Sequence, residues 1–463
     1  MDLGLHRVHA LLQRLGAPQA IFPVIHVAGT NGKGSTSAYL DVLLSNAAGL
    51  RAARFNSPHL LCPRDSVRIA DGEPIDENTW ELAQQRVQAA DQAGDAIRAT
   101  PFELLTAQAL LAFTMLPEGK RPHVLVIEVG VGGRLDATNV FPNENVLASV
   151  ICPIARDHES LLGHGLAAIS REKAGIIKEN GLCVIADQAP PNAIDGPDPE
   201  IMNTLKEVCA EKSARVAYGS IPWTNMRVSP RSPVGASVKF GLPLAPTSGV
   251  PRSSLITIPL DLECTLARVN GCATALQTLW SIGNDKAGGS VAAAHVRSRI
   301  REMFEKGPQL IQAALARFRW PGRCEWTYFG RTPVLLDGAH NGASAQALRN
   351  YLDACGSSFR DTTWIIAVSQ GKAADAMFDS LFCRGRHRIA FVPFSEVEGM
   401  PWVRPAAPSE LAAKIRKGNW PVDCVVELKS LGEALEWAKS GSHVVVCGSL
   451  YLVSDYYRTL MQG

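Results

Sequence analysis

The stretch with the clearest chemistry is Gly29-Thr30-Asn31-Gly32-Lys33-Gly34-Ser35, entered from the apolar run Val24–Ala28 and followed by helical periodicity from Thr36. A strand, a glycine-rich turn and a helix N-terminus make an anion site, because backbone N–H groups curl around phosphate and the helix dipole adds about half a positive charge. In that arrangement the segment from Gly29 to Thr36 cradles the phosphates of a nucleotide. Lys33 reaches the β and γ oxygens, and Ser35 helps to hold Mg²⁺. In the common phosphate loop the lysine is followed directly by Ser or Thr. Here Gly34 intervenes.

Three more strand ends bring donors toward that loop. Ser57, in Ser57-Pro58-His59-Leu60, places a hydroxyl just past the run Ala52–Phe55. Glu128 closes the apolar run Val124–Ile127 and enters Gly130-Val131-Gly132-Gly133-Arg134-Leu135-Asp136-Ala137-Thr138-Asn139. A carboxylate at the carboxyl edge of a parallel sheet, beside a phosphate loop, suits an Mg²⁺ ligand. His158, in Asp157-His158, follows the run Val146–Cys152 and joins Ser57 and Glu128 as a candidate metal ligand. Chemistry of this kind rests on positioning and charge stabilisation, and no catalytic triad is apparent.

Delivering those groups to one place requires strands whose carboxyl ends share a sheet edge. Short β-branched runs (Val24–Ala28, Ala52–Phe55, Val124–Val129, Val146–Cys152, Cys183–Ala186) alternate with helical periodicity (Phe102–Leu116, Leu161–Ala174). That alternation predicts an α/β fold with a mainly parallel sheet. From about 189 to 259, prolines from Pro190 to Pro251 break up any long element and predict an irregular, partly exposed excursion. A second alternation starts at Val334, with strands to Asp337 and over Trp364–Val368, Ile389–Val392, Cys424–Leu428 and His443–Cys447. Helices over Ala343–Ala354, Ser409–Arg416 and Leu431–Lys439 separate them, which predicts a smaller doubly wound, Rossmann-like domain. The expected division is 1–317 for the phosphate-loop domain and 318–463 for the second.

Composition narrows the classes. A chain of 463 residues calls for two or three domains, and 46% hydrophobic with 19% charged residues is the balance of a soluble globular protein. The net charge of +2, with no Lys/Arg run, argues against nucleic acid and anionic membrane as partners. No apolar stretch reaches the roughly 20 residues that span a bilayer. Leu5, Val8, Leu11, Leu12 and Leu15 predict a helix stopping near Gly16, with no signal-peptide pattern. The 11 cysteines form no C-x-x-C pair and several sit in apolar runs (Cys152, Cys183, Cys447), which suits reduced thiols in the cytoplasm. A monomer acting on small-molecule substrates is the expectation.

The loop Gly-Thr-Asn-Gly-Lys-Gly-Ser closely resembles that of the Mur ligase superfamily, which includes folylpolyglutamate and dihydrofolate synthases. Glu172-Lys173-Ala174-Gly175-Ile176-Ile177, Trp320-Pro321-Gly322-Arg323 and Leu336-Asp337-Gly338-Ala339-His340-Asn341 look like further segments of that family. The resemblance runs from Leu5 through the final strand, with the proline-rich excursion least alike. It implies ATP, two Mg²⁺ sites, and a carboxylate activated as an acyl phosphate and joined to an amino acid. It implies that Lys173 is carbamylated and that its carbamate meets the second metal, where the residues alone suggest a solvated helix lysine. It puts Arg323 on phosphate and Asp337 near the ribose. His340 and Ser369 fall at strand ends where the family holds glutamate, and Lys33, Lys173 and His340 make up the catalytic set. Thr100-Pro101-Phe102-Glu103-Leu104-Leu105-Thr106 resembles the segment bordering a pterin, which assigns Phe102 and Glu103 to the substrate. There Phe102 covers the face of a flat ring while Asp136 accepts from its edge. Val397–Trp402 and Cys447–Leu452 look like stretches of fungal dihydrofolate synthases, favouring dihydropteroate over a reduced folate as acceptor, with L-glutamate as the amine. A folylpolyglutamate synthase or a bifunctional enzyme is the alternative.

One departure stands out. The family's His-Gln-x-x-Asn stretch for adenine is matched by Leu266-Ala267-Arg268-Val269-Asn270, in which Asn270 alone keeps its type. Leucine and alanine side chains offer no hydrogen bond to a base edge. Two other classes remain: a phosphate-loop NTPase switch, against which Gly34 and the Asp337–Asn341 turn argue, and a folate-binding protein without turnover.

Overall fold

The computed structural model describes residues 4–189, 196–219, 227–229, 235–237, 266–356, 359, 361–372, 374–441 and 443–462. Seven strands make the first sheet: β1 (Val24–Ala28), β2 (Ala52–Phe55), β3 (Val67–Arg68), β4 (Val124–Glu128), β5 (Val146–Ile151), β6 (Leu182–Ile185) and β7 (Arg215–Tyr218). Their order is β3-β2-β4-β1-β5-β6-β7, parallel throughout except for β3 against β2. A short antiparallel pair follows, β8 (Arg227–Ser229) and β9 (Gly235–Ser237). The second sheet contains β10 (Glu325–Phe329), β11 (Thr332–Leu336), β12 (Thr362–Ile366), β13 (His387–Phe391), β14 (Val422–Glu427) and β15 (Val444–Cys447). Its order is β10-β11-β15-β12-β13-β14, parallel except for the β10–β11 hairpin. The α/β class expected from the alternation is the class observed.

β1 and β4 are buried along their whole length, as continuous apolar runs in a parallel sheet must be. One face of the first sheet is covered by the helices Lys33–Asn46, Leu266–Asn284 and Val291–Glu305, in a core that includes Tyr39, Leu43, Leu276 and Ile300. Tyr39 stacks on Phe318 with ring centroids 3.7 Å apart. The opposite face holds the helices Glu77–Gln92 and Pro101–Met115 over Phe55, Leu125 and Ile127. The second sheet is likewise covered on both faces.

Two expectations need correction. The helix expected over Leu161–Ala174 is two helices, Glu159–Leu162 and Leu166–Ala174. Gly163 and Gly165 between them take φ of +93° and +90°, outside the helical region. The start of the proline-rich excursion is regular. Pro199 sits at the first position of the helix Pro199–Glu211, where its missing N–H costs nothing, and Asp198 caps that helix through Glu200 N. The chain then adds β7 to the sheet edge. Most of the remaining excursion lies outside the described residues. No helix among the described residues is long and apolar enough to cross a membrane.

Candidate active site

The phosphate loop owes its shape to its glycines and one threonine. A Cβ on Gly29 would fall 2.6 Å from Cys152 Cβ, and one on Gly34 would fall 2.9 Å from Trp320 and 3.4 Å from Glu128 Oε2. Gly32 takes φ +82° just before the helix Lys33–Asn46. Thr30 Oγ1 donates to Ala155 O and accepts from Ala155 N, both at 3.0 Å, and the amides of Thr30 and Asn31 donate to Pro153 O. Lys33 Nζ lies 3.1 and 3.2 Å from the carbonyls of Gly29 and Thr30 and 4.0 Å from Glu128. Ser35 is half-buried at the loop's end. Thr36 is different from the expectation. Its amide is used by Gly32 O, and its hydroxyl is buried against Cys152 Sγ at 3.4 Å, so it serves packing.

Glu128 is 5% exposed, and burial raises its pKa against the pull of Lys33 and Asn56. Asn56 Nδ2 donates to it at 2.8 Å, and the Ser57 amide also donates to it. Behind Asn56, Arg54 pairs with Asp41 at 2.8 Å and stacks on Trp320 at 4.7 Å. Neither Asn56 nor Arg54 was singled out in the sequence. An amide immediately before Ser57, at a strand's carboxyl end, was the signal available.

Lys173 closes the other side. It is 4% exposed, and its Nζ donates to Gly29 O at 2.9 Å. Burial first, and then the charge of Lys33, bring its pKa down to about 7. It is therefore no solvated helix lysine.

The two sheets meet around Asp157. Lys372 lies 2.7 Å from its carboxylate, His158 3.8 Å and His340 3.9 Å. Burial alone would raise the Asp157 pKa, but Lys372 and the imidazoles outweigh it and hold the group at about 2. His158 occupies the left-handed region at φ +54°, and His340 Nδ1 is 2.9 Å from Gly338 O. Asn341 Nδ2 donates to Asn31 Oδ1 at 3.2 Å, joining the second lobe directly to the phosphate loop. Asp337 Oδ1 accepts from Ala339 N and Oδ2 from Cys324 N, each at 2.8 Å, so it holds the turn that carries His340. Arg323 contributes charge to Glu128 and donates to Gly322 O at 3.1 Å. Ser369 is half-buried past β12, three residues before Lys372. Asn270 belongs to the helix Leu266–Asn284, whose Gly271 comes against Thr36 and Ser35. The side chains of Leu266 and Ala267 lie outside the described residues.

Toward β2 and the helix Pro101–Met115 there is an open-mouthed cavity of about 210 Å³. Phe102, Trp80 and Gln108 line it together with His59 and, from the second lobe, Met400 and Trp402. Glu103 does not line it. Its carboxylate accepts from Thr100 N at 2.6 Å and from Arg7 at 2.9 Å, closing a capping box, so the expected substrate contact is a helix cap. Asp136 is 3% exposed and accepts from Val131 N, Thr138 N and Thr138 Oγ1, shaping the turn on which Phe102 rests at Gly130.

The donors around the loop are a carboxylate, Glu128, with the hydroxyls of Ser35 and Ser57 and the imidazole of His158 nearby. That suits Mg²⁺, which is commonly held by one or two carboxylates plus phosphate and water.

Known proteins resemble this chain along its whole length. A family model described as "Dihydrofolate synthetase, C-terminal domain" matches residues 327–459. The dihydrofolate synthetase of Saccharomyces cerevisiae is 31% identical over 99% of this chain and 98% of its own. The probable dihydrofolate synthetase of Schizosaccharomyces pombe is 32% identical over 99% of both. Among solved structures, Mycobacterium tuberculosis folylpolyglutamate synthase complexed with ADP and AMPPCP superposes with a TM-score of 0.75 at 28% identity, over 99% of this chain and 96% of that one. A Yersinia pestis bifunctional folylpolyglutamate synthase/dihydrofolate synthase, complexed with AMPPNP and Mn ion, does so at 0.70 and 27%, over 100% and 94%. With relatives above 30% identity across essentially all of the chain, and the same fold in the solved structures, this protein belongs to the dihydrofolate synthase and folylpolyglutamate synthase family of ATP-dependent ligases.

Proposed function

We propose that this protein is a dihydrofolate synthase, joining L-glutamate to 7,8-dihydropteroate with conversion of ATP to ADP and phosphate. The observation that carries the reading is the convergence of Lys33 and Lys173 on the Gly29 carbonyl, with Glu128 4.0 Å from Lys33. Full-length similarity to the two fungal dihydrofolate synthetases supports dihydropteroate as the acceptor.

In this reading the loop from Gly29 to Ser35 wraps the ATP phosphates, and Lys33 carries positive charge to the γ-phosphoryl group as the acceptor carboxylate attacks it. Asn270 and Arg323 border the nucleotide, and Asp337 holds the turn that faces it. Ser35, Ser57, Glu128, His158 and Lys173 would hold two Mg²⁺ ions, which supply charge neutralisation at the phosphates. Lys173 suits carbamylation, since an amine with a pKa of about 7 is largely neutral and nucleophilic near pH 8. Attack on CO₂ forms the N–C bond, releases one proton and leaves an anionic oxygen pair. The glutamate amine then displaces phosphate from the acyl phosphate. His340, Ser369 and Lys372 sit where the amino acid would enter, and Lys372 is poised to meet a carboxylate. We further read the protein as a cytoplasmic monomer divided near residue 318.

The test is product formation from L-glutamate and ATP with dihydropteroate or tetrahydrofolate as the acceptor. Dihydrofolate from the first, with poor extension of the second, is expected. Extension of tetrahydrofolate at an equal or faster rate would replace the acceptor assignment and keep the ligase. ADP release without either acceptor or amino acid would instead indicate an NTPase.

A further inference from the structure

Arg54 is the one charged residue of β2, a strand buried along its whole length. Alternation along the strand puts Arg54 and Asn56 on the same face as Ala52. β2 runs beside β4 with Ala52 opposite Val124 and Phe55 opposite Ile127, so Asn56 comes level with Glu128. The helix Lys33–Asn46 packs over this face, and its Asp41 receives the guanidinium. A buried ion pair by itself adds little to stability, since apolar residues of similar volume usually do as well or better. The arginine therefore calls for a second use.

That use is visible in how its donors are divided. Nε donates to Asp41 Oδ2 at 2.8 Å, while Nη1 donates to Asn56 Oδ1 at 3.2 Å. A guanidinium can only donate, so it sets the amide with its oxygen toward Arg54 and its NH₂ toward Glu128. The flipped amide would put NH₂ against the guanidinium and oxygen against the carboxylate, losing both bonds. As oriented, Asn56 Nδ2 donates to Glu128 Oε2 at 2.8 Å, and Oε1 is the oxygen 4.0 Å from Lys33 Nζ. The Ser57 amide donates to the same carboxylate. The backbone that carries the amide is pinned as well, Asn56 N donating to Ser66 O at 2.9 Å. Trp320 lies over the guanidinium at 4.7 Å and against Gly34 of the phosphate loop, so the whole series of bonds is kept from water.

We propose that Arg54 and Asn56 are positioning residues for the metal. Held by Asp41, Arg54 orients the Asn56 amide, which occupies Oε2 of Glu128 and presents Oε1, on the side of Lys33, as the oxygen offered to Mg²⁺. With one oxygen tied down, Glu128 is a single-oxygen ligand, which suits the compact octahedral shell of Mg²⁺. Removing an outer partner of this kind ordinarily changes metal affinity by about 10–100-fold. The assignment rests on the ligase reading for the presence of the metal, and on the buried contacts alone for the order Asp41, Arg54, Asn56, Glu128.

Two measurements on the full-length protein provide the test. One is Mn²⁺ binding with ADP present, counted by electron paramagnetic resonance. The other is ligation as Mg²⁺ is varied at saturating ATP, dihydropteroate and glutamate. Asn56→Leu and Arg54→Met should each weaken Mn²⁺ binding roughly tenfold or more and raise the Mg²⁺ concentration for half-maximal rate by a similar factor. KM for dihydropteroate, measured at saturating Mg²⁺, should stay within about threefold of the parent. Excess Mg²⁺ should restore most of the turnover, which it would not do for a merely structural defect. Arg54→Lys, which keeps the charge and a donor but not the fork, should fall between parent and Arg54→Met. If Arg54→Met fails to fold, the double variant Asp41→Leu with Arg54→Met removes the ion pair together and should show the same weakening. Unchanged Mn²⁺ affinity in Asn56→Leu, or turnover that is lost and not recovered by Mg²⁺, overturns the proposal. Mn²⁺ binding that weakens in Asn56→Leu supports it even in a protein that ligates nothing, so the relay and the ligase reading fail separately.

Discussion

Replacing Lys173 by methionine should stabilise the protein and abolish its reaction. The amine is 4% exposed with a pKa brought down to about 7, against 10.5 for an ordinary lysine. The folded state therefore binds fewer protons than the unfolded state between those values, and stability from this group rises with pH across that window. Below pH 7 the full penalty opposes folding; above pH 10.5 it is gone. At pH 8 folding must strip a proton held in the unfolded chain over about 2.5 pH units, which at about 1.4 kcal/mol each opposes folding by ~3 kcal/mol. Methionine keeps a linear apolar stem and loses the bond to Gly29 O, worth ~1 kcal/mol, so the net gain is ~2 kcal/mol. Thermal melts of parent and variant in CO₂-depleted buffer should show the variant several degrees higher at pH 7, with the gap closing by pH 10. Added bicarbonate should raise only the parent, because carbamylation consumes the neutral amine. In ¹³C-bicarbonate the parent should give a carbamate resonance that the variant lacks. Turnover in the variant should fall below detection, and a short-chain carboxylic acid should restore part of it in Lys173→Ala. A variant that melts lower by the same amount at every pH, or that ligates at the parental rate, would refute the reasoning.

Lys33→Ala should lower kcat by on the order of 10³-fold or more while the protein still folds, as circular dichroism and a cooperative melt would show, since its ammonium meets loop carbonyls and Glu128. Gly34→Ala should lose most ligase activity in the same assay, because the new methyl falls 2.9 Å from Trp320 and 3.4 Å from Glu128. Glu103→Ala should cost roughly 1–3 kcal/mol in denaturant unfolding by removing the bonds that its carboxylate accepts from Thr100 N and Arg7, while KM for dihydropteroate stays at the parental value. A raised KM there would return Glu103 to the substrate.

The first sheet was legible because its strands are buried on both faces and so read as short apolar runs that end in a glycine turn or a polar residue. Val24–Ala28 before the glycine loop and Val124–Ile127 before Glu128 are examples. Strands whose one edge is exposed, such as β7 with Arg215 and Val216, lack that pattern, and the surrounding prolines masked a regular unit. The break at Gly163–Gly165 was written in the sequence as two glycines, but apolar periodicity on either side bridged it. In the site, residue types with one dominant use were placed by type: a lysine in a glycine loop, a glutamate at a strand end. Glu103 was misread because a capping box and a substrate contact ask for the same residue at the same helix end. Asn56, Arg54 and Lys372 act through partners 72, 13 and 215 positions away, respectively, and no local pattern carries such pairings.

The connection from Ser57 to Pro63 ties the parts together mechanically. The Ser57 amide bonds Glu128 beside the phosphate loop, His59 borders the cavity, Leu60 packs against the second lobe's core and Leu61 O accepts from Arg458. A shift of the second lobe that withdraws Leu60 must therefore drag on both the cavity and the partners of Glu128. Further contacts across the seam, Lys372 and His340 to Asp157 and Asn341 to Asn31, lie on the other side of the phosphate loop. Acyl transfer needs this. An acyl phosphate exposed to water is lost to hydrolysis, so the amine must already be held when the phosphoryl group moves. A site whose phosphate loop, carboxylate and neighbouring cavity are all tied to one seated lobe meets that condition through its fold. It asks of no single side chain that it act as a gate.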